Sequence, residues 1–124
     1  MHAIGNATAR ISDYRQQQAR FLDAWKRGVR LAGEGCFEVS ASSVENATDK
    51  EQLRPSWDHV EAYLMDRSNG EAAFLAALCS FFNSHWGQAL LERAGYPNLC
   101  DLAAKLDAER AGIIAELFLS YQGW

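Results

Sequence analysis

At 124 residues, with 48% hydrophobic and 23% charged side chains, the chain is long enough to bury one core and too apolar for intrinsic disorder. Three cysteines, an odd number without CxxC spacing, argue against a disulfide framework and a zinc knuckle, and point to a reducing cytoplasm. The net charge of −4 conceals a basic N-terminal third followed by an acidic remainder, which predicts that the first helix lies against its own acidic fold.

No basic stretch leading into an apolar run stands at Met1 to Asn6. From Thr8 to Ala32, Ile11, Tyr14, Gln18, Phe21, Leu22, Trp25, Val29 and Ala32 recur at three- and four-residue steps, the signature of an amphipathic helix. Arg15, Arg20, Lys26, Arg27 and Arg30 occupy its other face, and Gly33-Glu34-Gly35 supplies the stop. Cys36 to Ser40 alternates apolar and polar residues, but no second strand pattern follows, so an isolated extended segment is expected. Ala41 to Arg54 is polar, reads as the most mobile stretch, and has room for one helical turn near Asp49 to Leu53.

Pro55-Ser56 opens the next helix, with Ser56 as N-cap and Trp57, Val60, Tyr63 and Leu64 on one face, ending near Arg67. The run from Ala72 to Phe82 is apolar almost all round and marks the central helix; its longest unbroken part, Ala72 to Cys79, is far short of a membrane span. Ser84 is expected to cap a helix over His85 to Arg93 that buries Trp86, Leu90 and Leu91. Gly95 to Asn98 is a turn. Asn98 caps a helix carrying Leu99 and Leu102, and Asp107 caps a last one whose apolar face is Ile113, Ile114, Leu117, Phe118 and Tyr121. The expected fold is mainly all-α: one domain over residues 1–124, a compact bundle of five or six helices with an irregular or short extended segment at 36–54.

Few residues suggest chemistry. Trp57, Asp58, His59 and Glu61 would meet His85 and Trp86 if two helix ends converge, forming a Trp/His-lined pocket. Two histidines beside carboxylates can bind a divalent metal, yet HxxxH and HExxH are absent and no third ligand is identifiable, so packing of Trp57 on Trp86 is preferred and neither metal nor cofactor is expected. Cys79 lies inside the apolar run, where burial makes a thiol inert, and Cys100 adjoins Asp101, so no catalytic residue is assigned. No glycine-rich loop precedes a helix as a phosphate cradle requires. The basic face, with Gln16 to Gln18, could touch nucleic acid, but the overall charge opposes this and no helix-turn-helix pattern follows. Fourteen Trp, Tyr and Phe residues exceed what a small core requires; Trp124 either locks onto the body or meets a partner, and locking is preferred.

Gly70 to Asn83, ending Ser80-Phe81-Phe82-Asn83, followed by Asp101-Leu102 and by Leu106-Asp107 before an Ile-rich helix, resembles small uncharacterised proteins of bacterial plasmids and integrative elements. The resemblance implies a bacterial accessory protein and carries no site residue. The leading expectation is therefore a non-enzymatic interaction protein that pairs with itself as a homodimer, or with an unknown protein, through apolar surface of the first or last helix. A small enzyme or ligand-binding domain using Trp57, His59, His85 and Trp86 comes second. A nucleic-acid-binding regulator using Arg15, Arg20, Lys26, Arg27 and Arg30 comes third.

Overall fold

A computed structural model of the chain describes residues 3–124, with side chains from Asp13 onward. The leader-free reading of Met1 to Asn6 and the place of Ile11 on the apolar face lie outside those side chains. Six α-helices and a two-stranded sheet make up the architecture: α1 (Ala3–Ala32), β1 (Phe37–Val39), β2 (Leu53–Pro55), α2 (Trp57–Asp66), α3 (Asn69–Phe82), α4 (Ser84–Ala94), α5 (Leu99–Lys105) and α6 (Ala108–Ser120). Two single 3-10 turns, Glu34–Cys36 and Lys50–Gln52, flank the strands. No described helix is long and apolar enough to cross a membrane.

α3 is the hub. Every residue from Ala72 to Cys79 is buried, because its small alanines let neighbours approach while Phe74, Leu75 and Leu78 fill the space between them. α4 comes closest: a Cβ added at Gly87 would stand 2.3 Å from Ser80 Cα, so only glycine permits this approach. On another side α1 brings Phe21, Trp25 and Val29 to the core, and α6 brings Ile113, Ile114 and Leu117.

Local chemistry sets most boundaries. Gly33, at φ 112°, ends α1 in a conformation closed to side-chain-bearing residues, and Gly95, left-handed at φ 90°, does the same for α4. Ser68 and Glu71 form a capping box on α3, and Asn98 and Asp107 cap α5 and α6.

Three expectations need correction. Cys36 to Ser40 is not an isolated strand: β1 pairs antiparallel with β2, Phe37 opposite Pro55 and Val39 opposite Leu53. Pro55, read from sequence as a helix opener, ends a strand whose alternation of buried Leu53, exposed Arg54 and buried Pro55 spans only three residues. The connecting loop is anchored by buried Val44 and Ala47, and Trp25 Nε1 donates to Leu53 O at 2.8 Å, tying β2 to α1. Second, Asn83 rather than Ser84 caps α4, its side chain accepting from Trp86 N at 2.9 Å. Third, Trp57 and Tyr63 do not share the burial of Val60 and Leu64; they are 54% and 37% exposed. At the start of α2, Ser56 makes no side-chain cap bond, its Oγ lying 2.7 Å from His59 Nδ1 instead.

Candidate functional site

The two helices that carry Trp57 and Trp86 do converge. The indoles stack with centroids 4.4 Å apart and planes 13° from parallel, one on the first turn of α2 and the other on the first turn of α4. Trp86 is buried and its Nε1 donates to Glu61 Oε1 at 3.1 Å, while the other Glu61 oxygen accepts from Arg93. The Arg93 hydrogen bond, supported by that from Trp86, holds the Glu61 carboxyl below its ordinary range despite partial burial. An open groove of about 710 Å³ follows, lined by Trp57, Glu61, Asn83, His85, Trp86 and Arg93 among others.

His85 belongs to this groove and His59 does not; the His59 ring is committed to Ser56 at the start of α2. The four-residue pocket foreseen from sequence is thus three of the four, joined by Glu61 and Arg93. Glu61 was visible as a neighbour of His59, but Arg93 lies 32 residues further on and has no local signal. Among the described residues, no group of three or more His, Cys, Asp or Glu side chains is placed to hold a metal ion. The thiols of Cys36 and Cys79 are buried and both are pushed up from the ordinary cysteine range by desolvation, which disfavours the thiolate form.

No known family, curated protein or solved structure matches this chain.

The basic candidates of α1 separate. Arg20 makes a two-point pair with Glu116 on α6, at 2.7 and 3.1 Å, which raises the arginine and lowers the glutamate from their ordinary values. Arg30 pairs with Glu45, Lys26 donates to Glu45 O at 2.8 Å, and Arg27 lies 3.5 Å from Asp23. Arg20, Lys26 and Arg30 therefore hold α1 against the rest of the molecule, Arg27 is paired within α1 itself, and Arg15 stands apart from them, lining another cavity.

Trp124 lies on the body rather than away from it, with ring centroids 5.0 Å from Trp25 and 5.1 Å from Phe82. It completes a continuous belt of ring contacts. From Trp57 the belt runs through Trp86, Phe82 and Trp124 to Trp25 and Phe21, then through Phe81 to Phe118 and Tyr121. Only its ends are strongly exposed: Trp57 at 54%, Phe118 at 59% and Tyr121 at 45%.

The Phe118 end continues along α6. Facing away from buried Ile113, Ile114 and Leu117, the helix carries exposed Ala108, Gly112, Ala115 and Leu119. Half-buried Ala111 and Phe118, the latter packed on Phe81, lie along the edge beside Ile114, and no charged side chain is among these six. Leu119 is 64% exposed, and a Cβ added at Gly112 would meet nothing within 4 Å. An ordinary surface helix turns charges to this side. The pattern could have been read from the sequence, since Ala108, Gly112, Ala115 and Leu119 recur at helical spacing on the face opposite the buried set.

Proposed function

We propose that the protein is a non-enzymatic interaction protein whose outward α6 face pairs with the same face of a second copy. The observation that carries this is the uncharged strip formed by exposed Ala108, Gly112, Ala115 and Leu119 with Ala111 and Phe118 along its edge. The face suits itself. Bulk sits at one end and small residues at the other, so antiparallel pairing across a twofold axis seats Phe118 and Leu119 of each copy over Ala108, Ala111 and Gly112 of its mate. Glu116, the carboxylate nearest to Leu119 on α6, is already neutralised by Arg20, which removes a like-charge penalty between copies. A 13-residue helix is about 20 Å long. One such face covers less than a standard interface of about 800 Å² per partner, so association is reversible and concentration-dependent.

Sedimentation velocity from low to high concentration tests the proposal. The expected result is a monomer–dimer shift that is lost in Ala115→Glu, which sets two carboxylates against each other at the centre of the face. A strict monomer at concentrations on the order of 100 μM, or an unchanged equilibrium in Ala115→Glu, refutes it.

Ligand binding in the Trp57–Trp86 groove is the second reading, favoured by a half-exposed indole beside a held Glu61–Arg93 pair. Nucleic-acid binding has less support, because Arg20, Lys26, Arg27 and Arg30 are engaged within the chain. A cytoplasmic setting is supported by three free cysteines, and a role as a bacterial accessory protein by the resemblance in the α3 to α6 region.

A further inference from the structure

A second cavity, of about 350 Å³, opens between α1, the 3-10 turn at Lys50–Gln52 and the residues after α6. Its wall is apolar at Phe21 and Leu22 and polar at Gln18, Thr48 and Gln122, and two cations reach it, Arg15 and Lys50. The pairing of the arginines is informative. Arg20, Arg27, Arg30, Arg54, Arg67, Arg93 and Arg110 each lie within ion-pair distance of a carboxylate. Arg15 does not, among the described residues, and residues 1–12 contain no Asp or Glu that could serve it.

Among the described residues, Lys50 is similarly free of a carboxylate within ion-pair distance. Its ammonium donates to Gly123 O and sits 5.4 Å from the Phe21 ring centroid and 4.8 Å from that of Trp124, so it is held by a carbonyl and two aromatic faces. The one carboxylate lining the cavity, Asp49, is turned to the backbone, where it accepts from Glu51 N at 2.8 Å. Burial lowers Lys50 from its ordinary value, outweighing the opposing pull of the nearby Glu51 and Asp49 carboxylates.

We propose that this cavity is a binding site for a small aromatic anion, its acid group between Arg15 and Lys50 and its ring against Phe21 and Leu22. The volume is at the small end of the range for ligand pockets, which fits one ring with one acid group. Carboxylate and phosphate share the chemistry required of the head group, since both accept charge-assisted hydrogen bonds from guanidinium and ammonium.

Isothermal titration with benzoate, phenyl phosphate, inorganic phosphate and benzyl alcohol separates the contributions. Either aryl anion is expected to bind with a Kd on the order of 0.1–1 mM, as a ligand of about ten heavy atoms allows. The tighter of the two identifies the head group. Arg15→Gln, at an exposed position with no ion pair to lose, is expected to weaken binding about tenfold, and Arg27→Gln, outside the cavity, to leave it unchanged. Lys50→Gln should weaken it comparably, but it also touches the Gly123 contact, so Arg15→Gln decides. Benzyl alcohol binding as well as benzoate, inorganic phosphate binding as well as phenyl phosphate, no heat from any of the four, or an unaffected Arg15→Gln each overturns the proposal. The outcome is independent of whether α6 pairs two copies.

Discussion

One substitution made at two glycines should act with opposite sign. At Gly87→Ala the new methyl would lie 2.3 Å from Ser80 Cα and 2.5 Å from Ser80 N and Cβ. Ordinary carbon contacts are about 3.5–4.0 Å, so α4 must retreat from α3 by more than about 1 Å, carrying buried Trp86 and Leu90 with it. Overpacking of this kind costs about 3 kcal/mol when backbone atoms are the obstacle, and replacing a helical glycine returns about 1 kcal/mol, for a net loss of about 2 kcal/mol. At Gly112→Ala the methyl meets nothing within 4 Å and only the helix-propensity gain remains, about 0.5–1 kcal/mol of stabilisation. Urea denaturation at low protein concentration, where self-association does not contribute, should move the midpoint down for the first variant and up for the second. A Gly87→Ala protein as stable as the parent would refute the α3–α4 geometry and with it the placement of Trp86 in the groove.

Other consequences are equally direct. Ser68→Ala removes the Oγ that accepts from Glu71 N and should cost about 1 kcal/mol by denaturant titration. Trp124→Ala should cost about 2 kcal/mol. Trp124→Phe should cost under about 1 kcal/mol, because the indole N–H it deletes is buried without a partner. Glu61 and Glu116 are both held below the ordinary carboxylate range, chiefly by hydrogen bonds from Arg93 and Arg20. Their contribution is therefore complete above the unfolded-state carboxylate pKa and is lost as pH falls through that range to the depressed folded values. Stability measured against pH should show an acid limb that is flatter in Glu61→Gln and Glu116→Gln; an unchanged limb would mean that these pairs do not persist in solution.

The parts of the fold that could be read in advance are those whose cause lies within about four residues. Asn98 and Asp107 reach the backbone three positions on, Gly33 ends α1 by its own conformation, and the apolar run at Ala72 to Cys79 announces burial on every side. What could not be read depends on partners distant in sequence. β2 is three residues long and is a strand only because β1 lies beside it. Trp57 reads as a core residue on any helical wheel, yet it is exposed because Trp86 covers only one of its faces. The cavity at Arg15 and Lys50 brings together residues over a hundred positions apart, as the Gln122 side chain donating to Tyr14 O illustrates, and no local pattern encodes that meeting.

The belt of aromatic rings also governs how the molecule interacts with light. All four tryptophans belong to it, two of them stacked at 4.4 Å with nearly parallel planes. Transition dipoles that close couple strongly, so the Trp57–Trp86 pair should add an exciton couplet to the far-ultraviolet circular dichroism and bias helix content estimated from ellipticity alone. Excitation absorbed at Trp57 can pass along the belt towards Trp25 and Trp124. Quenching at one end of the molecule will then dim emission from the other, and single-tryptophan variants are needed before any fluorescence change is assigned to a place.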